Sequence, residues 1–331
     1  MTSRFDLHHL FAACVLLLAW GVCSTASGAE RSDYPTRPIR LLVSFPPGGG
    51  ADTLARIVTP KFAQSMGQQW VVDNRSGASG NIAPEIVAHA APDGHTVLLG
   101  FNTVLTVNPS LYKKLPFDVA RDFQAVTQLA AAQYILVLHP SVPAGSLKEF
   151  IALAKAKPGE LNYSSSGMGS PLHLAAELFK FMTHTKPVHI PYKGMGPAVT
   201  DVIGGQIQFI FGTVLAVVPH VRNGRLRALG VSSERRSESL PNLPTIAEAG
   251  VPGYSTVSWT GMHLPAGAPA AIVKTIRSDV MKVIARQDVR ERFLQDGAEP
   301  AGGSSGEFGQ FIRDEIVKWR KVIKAADIRI D

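Results

Sequence analysis

A short apolar run, Ile39 to Val43, ends in Ser44-Phe45-Pro46-Pro47-Gly48-Gly49-Gly50-Ala51-Asp52. Beyond it Leu54, Ile57, Val58, Phe62 and Met66 recur at helical spacing. The pattern predicts a buried strand, a glycine loop and a helix over 53–66 that meet at one point. Glycines let the backbone approach a ligand, and the first N–H groups of a helix lack internal partners, so such a loop can offer several donors to one anion. It can equally be a tight strand-to-helix turn with no ligand. Asp52 is placed to cap the helix and would take some of the donors itself. No Lys-Ser or Lys-Thr follows the glycines and the dinucleotide spacing is missing, which disfavours nucleotide binding.

The same rhythm continues. Trp70 to Asp73 reads as a strand, Asn74 to Asn81 as a second glycine-rich entry to a helix ending near Ala90, and His95 to Gly100 as a third strand. Alternation of this kind implies parallel sheets flanked by helices, with ligands beyond the carboxyl ends of the strands. Phe123 to His139 is long and apolar enough for one extended strand crossing between lobes. A second series follows: helices at Leu147–Ala156, Pro171–Met182, Ala198–Ile203 and Val214–Arg222, with strands at Leu161–Tyr163, Val188–Pro191 and Ile207–Phe211. Leu226 to Ser232 is read as the return crossing, and helices at Ala270–Ala285, Val289–Gln295 and Glu307–Ala325 rebuild the first lobe.

Residues 1–29 have the layout of a secretory signal: Arg4, an apolar stretch from Leu10 to Trp20 too short for a membrane helix, and small residues ending near Ser27-Gly28-Ala29. Both cysteines, Cys14 and Cys23, fall in that segment, so the mature chain holds no disulfide, thiol nucleophile or cysteine metal ligand. The net charge of +7 is scattered rather than clustered, which gives nucleic-acid binding little support. What remains exceeds the usual single-core size and predicts two lobes, 30–127 with 230–331 and 128–229.

A further glycine- and serine-rich junction, Ser164-Ser165-Ser166-Gly167-Met168-Gly169-Ser170, precedes the helix at Pro171, in the second lobe. Two helix N-termini facing each other across a cleft would hold one small anion from both sides. His173, one turn into that helix, either faces the ligand or serves packing or capping. Lys193 is either a carboxylate partner or a solvated lysine. Gly302-Gly303-Ser304-Ser305-Gly306 matches the nucleophile-elbow pattern, but no buried strand is predicted before it and a flexible loop is the simpler reading. The histidines past the signal show no metal-ligand spacing, and no metal or cofactor is expected.

Read in order, Tyr34-Pro35-Thr36-Arg37-Pro38-Ile39, Phe45 to Asp52, Asp73-Asn74-Arg75, Ala91-Pro92-Asp93-Gly94, Asn108-Pro109-Ser110-Leu111-Tyr112, Leu115-Pro116-Phe117-Asp118, Asn162-Tyr163-Ser164-Ser165 and His189-Ile190-Pro191-Tyr192-Lys193-Gly194 resemble the Bug family. These are extracytoplasmic solute-binding proteins of tripartite tricarboxylate transporters. The resemblance covers the whole mature chain. It implies a two-lobed α/β periplasmic binding fold of type II, each lobe a mainly parallel sheet, joined by two crossover strands and closing on a small organic carboxylate. It implicates Phe45, Gly49, Gly50 and Asp52 in one lobe, Ser165, Ser166, Gly167 and Gly169 in the other, and Asn102 and Thr103 near the junction. Gly212-Thr213 stand where family members often carry an aspartate, which makes an amino-acid ligand less expected than a dicarboxylate, hydroxyacid or aromatic carboxylate. The implied protein is a periplasmic monomer that delivers its ligand to the permease. An exported hydrolase and a ligand-loaded signal for a membrane sensor are the alternatives.

Overall fold

The computed structural model describes residues 34–238 and 240–328. The expected secretory signal lies outside them. Ten strands form one mixed sheet in the order β2-β1-β3-β9-β4-β7-β5-β6, with β10 and β8 also paired to β4. The strands are β1 (Ile39–Val43), β2 (Trp70–Asn74), β3 (Thr96–Phe101), β4 (Phe123–Leu138), β5 (Asn162–Ser165), β6 (Val188–Pro191), β7 (Phe209–Thr213), β8 (Arg227–Val231), β9 (Val257–Pro265) and β10 (Glu299–Gly302). The main helices are α1 (Gly50–Met66), α2 (Ile82–Ala88), α3 (Leu147–Ala156), α4 (Pro171–Thr183), α5 (Met195–Ile203), α6 (Val214–Arg222), α7 (Ala270–Ile284), α8 (Gln287–Gln295) and α9 (Ser305–Ala325).

The outer strands are parallel, β2-β1-β3 at one end and β7-β5-β6 at the other, while the strands joining them, β9 and β4, run antiparallel. This is the two-lobed α/β fold. The sixteen-residue β4 belongs to both lobes. Its residues Phe123–Gln133 pair with β9 on one edge and, through Gln128 to Ala131, with β10 on the other; Ile135–Leu138 lie between β7 and β8. Register shifts at Ala125/Thr127 and Gln128/Ala130 mark bulges, where a strand bends most readily.

The return to the first lobe differs from the reading of Leu226–Ser232 as the crossing. Among the named strands β8 pairs with the far end of β4 alone, and the long partner is β9, where no strand was predicted. Gly261 in its middle reads as a breaker in sequence. In the fold a Cβ there would stand 2.3 Å from the Phe308 ring, so glycine is what allows α9 to lie on the strand. β10 is a second strand that sequence reasoning missed. Gly302 to Gly306 is accordingly a strand-to-helix turn and not a flexible loop. Ser304 caps α9 in a reciprocal box with Glu307, and the Ser305 hydroxyl donates to the Val126 carbonyl at 2.6 Å. Its serines are engaged in structure.

Candidate functional site

β1 delivers the chain to the first glycine loop, and α1 begins at Gly50, three residues before the predicted start. The N-cap is Gly49, with no side-chain cap. Asp52 therefore does not cap as expected: it sits inside the first turn, buried at 2 % exposure, and its carboxylate turns back beneath the loop. There it accepts from the Gly48 N–H at 2.9 Å, from Arg56 Nε at 2.9 Å and from Asn74 Nδ2 at 3.0 Å. Asn74 also donates to the Phe45 carbonyl at 2.9 Å. Hydrogen bonding from Arg56 holds the Asp52 carboxyl below the usual carboxylate range against the opposing effect of burial. Asp52 is thus a fastener under the loop. Among the described residues no protein acceptor pairs with the N–H groups of Gly50 and Ala51, which stay at the positive end of a seventeen-residue helix.

These groups border a cavity of about 520 Å³. Of the residues singled out in the sequence, Phe45, Gly49, Gly50 and Thr103 line it. Phe45 is set edge-on against Phe101 at 5.1 Å between centroids, and Gly80, at φ +88°, leaves the space beside it that a side chain would fill. The opposite wall is the middle of β4, Ala130 to Ala132, with Ser258 and Thr260 of β9 beside it. Pro171 at the start of α4 comes from the second lobe, and Asp296 and Ala298 come from the α8–β10 turn. The buried Thr260 hydroxyl has no protein partner. Ser258, Thr260 and Asp296 carried no sequence signal because β9 was not recognised and Asp296 follows a helix that reads as an ordinary surface element.

The second glycine loop is built differently from the first. The Ser165 hydroxyl donates to the Gly167 carbonyl at 3.0 Å and accepts from the Gly167 N–H at 3.1 Å, and it meets His189 Nε2 at 2.7 Å. The Gly169 N–H donates to His173 Nδ1 at 3.1 Å. These donors are spent within the loop. Ser165, Ser166, Gly167 and Gly169 do not line the 520 Å³ cavity; helix α4, which they introduce, reaches it through Pro171. His173 is buried and lies outside this cavity; its ring stacks on His189 at 3.9 Å, His189 stacks on Tyr163 at 4.9 Å, and both histidines line a separate cavity with Glu177 and Lys180. Asn102 also lies outside the lining, its amide donating to the Val257 carbonyl at 3.3 Å and tying β3 to β9. Gly212 has no room for a side chain, since a Cβ would stand 2.2 Å from Val217. Thr213 is exposed at the start of α6, and Lys193 is exposed outside the cavity.

The two histidines give this loop a pH dependence. Burial, reinforced by nearby Lys180, pushes His173 down to about 4; burial and the neighbouring His173 push His189 down to about 4. Both are neutral when folded, and His173 then accepts the Gly169 N–H. An unfolded chain takes up these protons below an ordinary value of 6.5, the folded chain only near 4. The contribution to stability is therefore complete above pH 6.5 and is lost as the pH falls towards 4. Each pKa unit corresponds to about 1.4 kcal/mol, so shifts of this size on two neighbouring rings amount to several kcal/mol. Melting temperature should fall across that window in the wild type and fall less steeply in the His173→Gln/His189→Gln double variant. Parallel pH profiles would exclude the pair as the source.

Among the described residues no cluster of three or more histidine, cysteine, aspartate or glutamate side chains is placed to hold a metal, and no helix is long and apolar enough to cross a membrane.

Known proteins match most of the chain. The sequence profile described as "Tripartite tricarboxylate transporter family receptor" matches residues 54–328. Protein BugT of Bordetella pertussis is 36% identical over 306 residues, covering 92% of this chain and 94% of BugT. A Rhodopseudomonas palustris protein solved with adipate is 38% identical, with a TM-score of 0.71 over 89% of this chain and 99% of its own. MatC from the same organism, solved with bound malate, is 31% identical, with a TM-score of 0.68 over 88% of this chain and 100% of its own. A TctC solute-binding protein from Polaromonas, solved without ligand, is 29% identical with a TM-score of 0.81, covering 88% of this chain and 99% of its own.

Proposed function

Since this chain belongs to the Bug family of tripartite tricarboxylate transporter receptors, we propose that its cavity captures a small organic carboxylate in the periplasm for delivery to the membrane permease. The observation that carries the reading is the pair of unpartnered N–H groups at the start of α1 beside the cavity. A carboxylate set there gains backbone hydrogen bonds and the helix dipole without a basic side chain. Phe45, Gly49, Gly50, Thr103 and Thr260 form the near side of this site. The second glycine loop, Ser165 to Gly169, contributes by setting the position of α4. Adipate and malate in two relatives support a ligand of this class.

The lobes are 30–127 with 230–331 and 128–229, and the hinge lies where β4 changes partners between Gln133 and Tyr134. A ligand closes such a hinge only by its differential affinity for the closed form. Residues 1–29 act as a cleaved export signal, the protein works as a monomer, and binding involves no covalent step.

A thermal-shift screen of the mature protein, freed of co-purified ligand by unfolding and refolding, tests this. A ligand at one hundred times its Kd adds about 2.7 kcal/mol to stability, so a cognate carboxylate raises the melting temperature by several degrees. A refolded protein that no mono-, di- or tricarboxylate stabilises would overturn the reading.

A further inference from the structure

The cavity holds one ionisable side chain among its lining residues, and it is an acid. Asp296 follows α8, and its carboxylate lies 3.3 Å from Arg292 Nε, which is 56 % exposed and does not line the cavity. Asp296 itself is 30 % exposed. Its neighbour Gly297 sits against the first turn of α6: a Cβ there would stand 3.2 Å from Leu215 Cγ and 3.6 Å from Val214 Cβ. The turn that carries Asp296 thus meets the first turn of α6. The other polar groups on the wall, the hydroxyls of Thr103, Ser258 and Thr260, are neutral, and the remaining lining is largely apolar.

The proposed function places one ligand carboxylate at the start of α1, and the following inference rests on that reading. Gly49, Gly50 and Asp296 line one cavity of about 520 Å³, so a ligand held at the start of α1 and long enough to cross that cavity meets Asp296. A second ligand carboxylate would there meet a fixed negative charge with no lining cation to separate them, and like-charge juxtaposition is a strong device for rejecting a competitor. A hydrogen-bond donor at the same point would instead be accepted by the Asp296 carboxylate.

We propose that Asp296 selects among carboxylates: the ligand joins one carboxylate, through an apolar body, to a hydroxyl or ammonium donor, and symmetric dicarboxylates are rejected. The missing aspartate after β7 therefore does not remove the acceptor from this cleft; the α8–β10 turn supplies one from the opposite lobe.

Titration calorimetry on the ligand-free mature protein with matched acids tests this. The probes are 6-hydroxyhexanoate and 6-aminohexanoate against adipate, and 4-hydroxybenzoate and 4-aminomethylbenzoate against terephthalate. Wild type should bind a donor-ended acid at least about tenfold more tightly than the matching dicarboxylate. The hydroxyl and ammonium probes report which donor is preferred. Asp296→Asn should narrow the ratio to about threefold or less, chiefly by strengthening the dicarboxylate. Because the ratio is taken within each protein, a loss of stability does not alter it. Tighter binding of the dicarboxylates by wild type, or an unchanged ratio in Asp296→Asn, would overturn the selection by Asp296 and leave the carboxylate site standing. Binding of no acid by wild type would overturn both.

Discussion

Gly50→Leu should abolish ligand capture while leaving the protein at least as stable as the wild type. Gly50 is the first residue of α1 and lines the cavity, and a Cβ built on it meets nothing within 4 Å. A leucine there starts from an open Cβ position at the cavity beside the free N–H groups. Replacing a glycine whose backbone is already helical with leucine gains up to about 1 kcal/mol from propensity and the unfolded state. We expect affinity to fall by at least roughly 100-fold, about 2.7 kcal/mol, with the melting temperature unchanged or raised. Calorimetry and a melting curve on one preparation decide it. Retained affinity would remove α1 from the site, whatever the ligand. Gly169 does not permit the same experiment, because at φ +71° any side chain strains the backbone and binding cannot be separated from folding.

The largest effect on stability is expected at Trp259. It is fully buried on β9 and packs edge-on against Phe308 at 5.3 Å and Phe311 at 5.9 Å, which fastens α9 to the sheet. Trp259→Ala should cost roughly 3–5 kcal/mol, through lost burial and the cavity left behind. That is a large part of the stability of an ordinary domain. Its neighbours Ser258 and Thr260 line the ligand cavity, so binding should weaken in parallel as β9 loses its support. Urea unfolding of the variant measures the cost. A change below about 1 kcal/mol would show that α9 is held by other contacts.

Much of this fold is legible in the sequence. The alternation of apolar strands with 3.6-period helices locates β1 to β7 and most helices to within a few residues, and the long, mostly apolar stretch from Phe123, nearly free of helix breakers, gives β4. The failures share a cause. β9 contains Gly261 and β10 contains Pro300, residues that punctuate a strand unless tertiary packing calls for them, and the reason for Gly261 is an aromatic ring on α9 distant in sequence. The site is legible in proportion to how local it is. Phe45, Gly49 and Gly50 follow from one strand-loop-helix junction. Thr260 and Asp296 reach the same cavity from elements far along the chain, and no local pattern marks them. Asp52 is the instructive middle case: an acid in the first turn is a sound expectation, but only Arg56 and Asn74 show that it secures the loop from below.

The sharing of β4 between lobes also bears on how the molecule comes apart. Its backbone ladder passes, with bulges, from β9 and β10 to β7 and β8, and the strand is covered on both edges over Gln128–Ala131 and Ile135–Leu138. Neither half can release its end of β4 without stripping hydrogen bonds from a strand that the other half still holds. The proposed hinge and a single cooperative unfolding step would then rest on one element, through bending of β4 at its bulges and pairing along its edges.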